Sequence, residues 1–205
     1  MKRTLLVLAL AGLLTAGASA QVSLGWGIHG NYAQLDVASS GISSVYGSGW
    51  GAGAHLDVNL MMISLRFSGD YVTFSPDQDK YRNELARLLG NAAAGYSIDG
   101  GNVNILSVNA NVKWSLLPIP VVSPYLTGGI GLAQLSSGDL TVKYNGASVG
   151  GFPKVEGETK TAVNLGAGVD LKLGGVALFA EVRYTWILTE GGSTRYIPIS
   201  VGITF

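Results

Sequence analysis

Ten ionisable side chains, His29, His55, Asp57, Arg66, Asp70, Lys113, Asp170, Lys172, Glu181 and Arg183, each stand between two uncharged and mostly apolar neighbours. In a strand that spacing sends the charge to one face and its neighbours to the other. Charges gathered on a shared face must be paired if they are buried, so the first expectation is a network of ion pairs. The chemical alternative is a narrow gated pore or a proton path through that network. His29 and His55 are the only histidines, and a histidine pair can bind a metal or titrate near neutral pH. Two ligands do not complete a metal site, and hydrogen bonding beside Asp57 is the simpler expectation. No metal and no cofactor is therefore expected. A lipid-modifying enzyme would need a serine, histidine and acid together near a lipid-facing rim, whereas both histidines fall in mid-strand, which disfavours catalysis.

The elements that must carry these residues are strands. Leu24, Trp26, Ile28 and Tyr32 alternate with Gly25, Gly27, His29 and Asn31, giving a first strand over 22–37. The same two-faced alternation recurs from Trp50 to Leu60, Ile63 to Tyr71, Leu106 to Leu116, Tyr125 to Leu135, Val163 to Lys172 and Val176 to Trp186. It recurs a last time from Tyr196 to Phe205, where Ile197, Ile199, Val201, Ile203 and Phe205 face one way. A terminal strand frays unless something pairs it, and closure onto the first strand would do so.

Two kinds of connection join the eight strands. Tight turns are expected at Leu60 to Met62, at Leu117-Pro118-Ile119-Pro120 and at Gly174-Gly175, where Pro breaks a ladder and paired Gly signals a hairpin. The first, third, fifth and seventh connections read as longer and polar, including Ala38 to Gly49 and Ser136 to Glu158, with the seventh a short loop around Glu190 to Thr194. A Gly174-Gly175 hairpin sets Gly168 opposite Glu181 and Gly166 opposite Arg183, leaving room for two long charged side chains. In the third connection, Ser75-Pro76-Asp77-Gln78 reads as a helix start with Ser75 as N-cap. Leu85, Leu88 and Leu89 then share a helical face, while Lys80, Arg82 and Arg87 can meet lipid phosphates.

The alternation of short turns and long loops, with an even strand number, is that of a transmembrane barrel whose termini lie in the periplasm. Composition agrees: charged residues make up 13%, about half the ~25% usual in soluble domains, and glycine is about twice its usual ~7%. Outward Trp114 and Phe205 fall near the periplasmic ends, and Trp50, Tyr71 and Trp186 near the outer ends. A soluble ligand-binding barrel is disfavoured, because its interior would be apolar. Residues 1–20 read as an export signal, with Lys2, Arg3, an apolar run from Leu5 to Leu14 and Ala18-Ser19-Ala20 before cleavage, leaving 21–205 as the barrel. Cysteine is absent and the formal net charge is +0, which excludes thiol chemistry and offers no electrostatic case for nucleic acid.

Four segments carry a family likeness: Pro124-Tyr125-Leu126-Thr127-Gly128-Gly129-Ile130-Gly131, Asn164-Leu165-Gly166-Ala167-Gly168-Val169-Asp170, Phe179-Ala180-Glu181-Val182-Arg183-Tyr184 and the Phe-terminated last strand. The chain resembles the small eight-stranded outer-membrane β-barrels that include OmpA-like and OmpX-like proteins. The resemblance implies that Ile199, Val201, Ile203 and Phe205 form the signal read by the barrel-assembly machinery. It also implies contact with outer-membrane lipids and lipopolysaccharide, and a monomer. The expectation is thus an all-β, closed, up-and-down transmembrane barrel with a short helix in its second extracellular loop and a polar, largely filled lumen. Its role would be structural or surface-interacting, with a narrow solute channel as the alternative and a lipid-modifying enzyme third.

Overall fold

The computed structural model describes residues 22–36, 46–90, 95–117, 119–189 and 192–205. Eleven strands and one helix occur among them: β1 (Val22–Asp36), β2 (Tyr46–Leu60), β3 (Ile63–Pro76), α1 (Gln78–Leu89), β4 (Tyr96–Gly100), β5 (Val103–Ser115), β6 (Val122–Ser137), β7 (Leu140–Tyr144), β8 (Ala147–Phe152), β9 (Val155–Leu173), β10 (Val176–Thr189) and β11 (Gly192–Thr204). The expected export signal lies outside the described residues.

Eight of the strands close a barrel in the order β1-β11-β10-β9-β6-β5-β3-β2. Every neighbouring pair is antiparallel, and β11 closes on β1 from Gly27↔Thr204 to Asp36↔Arg195. The backbone of Phe205 completes that seam, donating to Trp26 O at 2.8 Å while its carbonyl accepts from Trp26 N at 3.2 Å. Closure matters physically, because a lipid-exposed edge would leave backbone groups without partners. The outward positions are apolar and open, as with Leu24, Ile28, Ile130, Leu165 and Val201. Trp26, Trp114 and Phe205 are exposed toward the end with the termini, and Trp50 and Tyr71 toward the other. Trp186 is half-buried against Tyr184, with ring centroids 4.4 Å apart.

The strands run longer than their alternation suggests, and this changes three connections. β3 continues to Pro76, which pairs with Tyr46. Ser75 therefore stays in the ladder, and the helix cap is Asp77, whose carboxylate accepts from Asp79 N at 3.0 Å and Lys80 N at 3.2 Å. The stretch from Ser136 to Glu158 is not a plain loop. It contains the hairpin β7–β8, turned at Asn145-Gly146 with φ of 47° and 82°, and β4 joins it in a separate sheet of order β4-β7-β8. Finally, β10 and β11 pair up to Thr189↔Gly192, so the short loop expected around Glu190 to Thr194 narrows to two residues, as in the turns at Met61-Met62 and Gly174-Gly175. The Gly174-Gly175 hairpin forms in the expected register, with Glu181↔Gly168 and Arg183↔Gly166.

Candidate functional site

The inward faces of the barrel strands meet in two tiers. The lower tier, on the side of the termini and at mid-height, is charged. Arg66 on β3 donates from Nε and Nη2 to the two carboxylate oxygens of Asp57 on β2, both at 2.7 Å. This planar fork is the strongest geometry available to a carboxylate pair. Its Nη1 lies 3.8 Å from Glu181 on β10. Glu181 lies 3.0 Å from Arg183 Nε, an ion-pair contact without the angle of a hydrogen bond, and accepts from Tyr125 Oη at 2.8 Å. Lys113 donates to both oxygens of Asp170 at 3.2 Å and sits over the Tyr125 ring, 4.1 Å from its centroid.

Asp70 is the second hub. It accepts from His29 Nε2 at 2.6 Å, Asn31 Nδ2 at 3.2 Å, Ser68 Oγ at 3.0 Å and Asn109 Nδ2 at 3.3 Å, and Arg183 Nη2 lies 3.6 Å away. The paired charges are almost wholly removed from solvent: Asp57 and Arg66 each expose 3% of their surface and Asp70 4%. An unpaired charge at such a site would be prohibitive, so the ion pairs are a condition of burying it.

The two histidines lie side by side, with Nδ1 atoms 3.4 Å apart. His29 is held by Asp70 and His55 by Thr204 Oγ1 at 2.9 Å. The partner of His55 is thus not Asp57, because Arg66 occupies both oxygens of that carboxylate. If Asp70 accepts from His29, the tautomers follow in turn. His29 Nδ1 accepts from His55, whose Nε2 then accepts from the threonine hydroxyl. Thr204 and His55 have the separation of a nucleophile and its base, but the base leads to a second imidazole rather than to a carboxylate. No group of three or more metal-ligating side chains occurs among the described residues.

Lys172 is not part of this network. It is exposed beside the Gly174 turn and, with Asp170, Lys113 and Thr204, lines an open cavity of about 320 Å³ at the lower mouth. Two contributors were not evident from alternation alone. Tyr125 fills the space left by Gly168, where a Cβ would lie 2.4 Å from the phenol oxygen. Phe179 places its ring under Arg66, 4.6 Å from the guanidinium carbon.

The upper tier is apolar. Ala33, Val72, Phe74, Ile105, Ala133, Ala162, Ile187 and Tyr196 form one buried cluster, with Leu35, Tyr46, Val103 and Leu135 packed against it. The lumen is therefore not polar throughout, because the inward register carries on past Asp70 to Val72 and Phe74 and past Ser107 to Ile105. Ile199, Val201 and Phe205 face outward and are exposed, and Ile203 is half-buried. On α1, Lys80 donates to Tyr46 O at 3.1 Å and Arg87 pairs with Glu84 at 2.6 Å. Arg82 is exposed and Leu85 half-buried, while the side chains of Leu88 and Leu89 lie outside the described residues.

A closed antiparallel barrel with an apolar outer belt, two aromatic levels and a charged interior is the architecture of an integral outer-membrane β-barrel. The chain belongs to the outer membrane protein beta-barrel domain family, whose model matches residues 6–205. Among solved structures, Neisserial surface protein A is similar with a TM-score of 0.57 and 18% identity, covering 89% of this chain and 97% of that one. The N-terminal barrel domain of Pseudomonas aeruginosa OprF gives a TM-score of 0.48 and 12% identity over 90% of this chain and 100% of that one. Ail, the attachment invasion locus protein of Yersinia pestis, gives 0.46 and 16% identity over 91% and 99%. No curated protein sequence matches the chain.

Proposed function

We propose that this outer-membrane barrel is closed to solutes and acts as a structural and surface-interaction protein through the elements at its outer end. One observation carries the reading. The apolar cluster centred on Phe74, Ile105, Ile187 and Tyr196 lies across the outer end of the lumen, above a tier whose charges are already paired with one another. A water-filled pore needs a continuous polar lining, and an ion entering from below would meet side chains that offer it no ligands. The space between His29, Arg66, Phe179, Glu181 and Arg183 is too small for a water-sized sphere, which supports the same reading. The solute channel is therefore the weaker alternative. The enzyme is weaker still, because His29 and His55 are engaged inside the lumen rather than at a lipid-facing rim.

The partners follow from the surfaces. Arg82 and Lys80 on α1 are exposed cations positioned for the phosphates of lipopolysaccharide, while Arg87 is already neutralised by Glu84. The outward Ile199, Val201, Ile203 and Phe205 would be the strand read by the barrel-assembly machinery, after export by a signal over 1–20. A monomer is sufficient, since the barrel leaves no strand edge open in the membrane. Planar-bilayer recording tests the reading: purified protein should give no steady conductance steps, and reproducible single-channel steps would overturn it.

A further inference from the structure

The apolar outer belt does not stop where the strands on one side of the barrel end. β2, β3, β5 and β6 are consecutive neighbours. Near their lower ends Ile63, Trp114 and Leu126 stand opposite one another across the ladders and face outward. Beyond that row the two turns joining these strands stay apolar and open: Met61 exposes 85% of its surface, Leu117 53% and Val121 52%. No charged residue occurs from Val58 to Leu65 or from Trp114 to Leu126. The turn between β9 and β10 differs, because Gly174 and Gly175 carry no apolar side chain and Lys172 stands exposed beside them.

A turn in water can leave its amides and carbonyls to the solvent, whereas a turn in hydrocarbon must satisfy them internally. The longer of the two apolar turns does the second. Pro118 and Pro120 carry no N–H. Leu116 N donates to Pro124 O at 2.9 Å and Ile119 N to Leu117 O at 2.8 Å, and the buried Ser123 hydroxyl donates to Ile119 O at 3.1 Å. Val121 O accepts from Lys172 N, and Met62 O in the neighbouring turn accepts from Ser115 N, both at 2.8 Å. The polar side chains closest by, Asn59, Ser64 and Ser115, line the lower mouth and not the outer wall. From these observations we propose that the Met61-Met62 turn and the turn from Leu117 to Val121 lie among the acyl chains of the periplasmic leaflet. The barrel then sits deeper in the membrane on the side of β2, β3, β5 and β6 than at Gly174-Gly175, where the mouth opens to water beside Lys172. Two features select lipid over a protein as the occupant. The apolar surface is continuous with the belt that already faces the membrane, and the backbone of the longer turn asks for no further hydrogen bonds at these positions.

The chain contains no cysteine, so nitroxide labels can be placed one at a time in the full barrel, reconstituted in phosphatidylcholine and phosphatidylglycerol nanodiscs. Met61→Cys and Ile119→Cys report on the apolar turns. Gly175→Cys is the reference, since nothing lies within 4 Å of where its Cβ would stand. Power-saturation EPR reads contact of each label with a water-soluble nickel chelate, which hydrocarbon excludes, and with oxygen, which concentrates there. Nickel contact at positions 61 and 119 should be about fivefold or more below that at position 175, with oxygen contact ranked in reverse. Met62→Cys and Val121→Cys repeat the reading, so that one misfolded variant does not decide it. Nickel contact at the two apolar turns equal to that at position 175 overturns the proposal and leaves those turns as a wet apolar surface open to a periplasmic protein. Nickel exclusion from all three turns alike also overturns it, because the barrel would then sit level.

Discussion

At the residue scale, the lumen is governed by the rule that a buried charge must keep its partner. Arg66 illustrates the cost. Replacing it by alanine leaves Asp57 buried without its fork and Glu181 with one cation fewer, so Arg66→Ala should destabilise the barrel by about 3–5 kcal/mol. Denaturant unfolding in lipid vesicles would measure this. Gly168→Ala should cost about 1–3 kcal/mol, because its methyl group would press on the Tyr125 hydroxyl and pull it from Glu181. Tyr125→Phe, which removes only the hydrogen bond, should cost about 1 kcal/mol. If the two were equal, steric displacement would not be the cause. Much of this tier was legible in the sequence. The alternation of His29, Asp57, Arg66, Asp70, Glu181 and Arg183 with apolar neighbours put them on one face, and the Gly174-Gly175 turn fixed Gly168 against Glu181. The specific partners were not legible, since a strand pattern gives the face of a residue but not which of several carboxylates its side chain reaches.

At the element scale, the outer sheet and α1 answer to local chemistry. Asp77→Ala should remove the cap and cost helix α1 about 1 kcal/mol, seen as faster exchange of the Asp79 and Lys80 amides, while Ser75→Ala should leave those amides unchanged. The Asp99 carboxyl is held below its ordinary value by its hydrogen bond to Lys143. A depressed carboxylate stabilises the folded state above its unfolded pKa, and that stabilisation is lost as pH falls through the folded value. The protection factor across the β4–β7 pairing, that is exchange relative to the intrinsic rate at each pH, should therefore stay level from neutral pH downward and fall only below about pH 4. Replacing residues 77–100 by a short linker should leave the eight-stranded barrel resistant to denaturant, because α1 and β4 lie outside it. The β7–β8 hairpin had a readable signal in Asn145-Gly146, the dipeptide that favours a turn with two positive φ angles. Its flanks, Leu140 to Tyr144 and Ala147 to Phe152, are too short and mixed to show a clear period. The continuation of the β10–β11 pairing to Thr189↔Gly192 was less evident for a related reason. Polar residues from Glu190 to Thr194 resemble a loop, yet above the membrane a strand carries polar side chains on either face.

At the scale of the whole molecule, closure was readable from eight two-faced segments and from the terminal strand that needs a partner. The apolar upper tier was less evident, although its signal lay in parity. Val72 and Phe74 continue the inward positions of Ser68 and Asp70, and Ala33, Ile105 and Ile187 do the same on their own strands. Val72, Phe74, Ile105 and Ile187 lie just beyond the clearly alternating segments, so the pattern that marks the strands does not reach the residues that seal the lumen. The result is a barrel whose lower interior is held by ion pairs and whose outer end is packed like a small hydrophobic core.

The absence of cysteine from the chain permits a direct measurement of that seal. Single cysteines replace Ser64 at the lower mouth, Ser107 beneath the apolar tier and Ser136 at the outer surface, and an impermeant thiol reagent is applied to either side of oriented vesicles. A closed lumen predicts labelling of Ser136→Cys from outside, of Ser64→Cys from the periplasmic side, and none of Ser107→Cys from outside. Labelling of Ser107→Cys from outside at the rate of Ser136→Cys would contradict it.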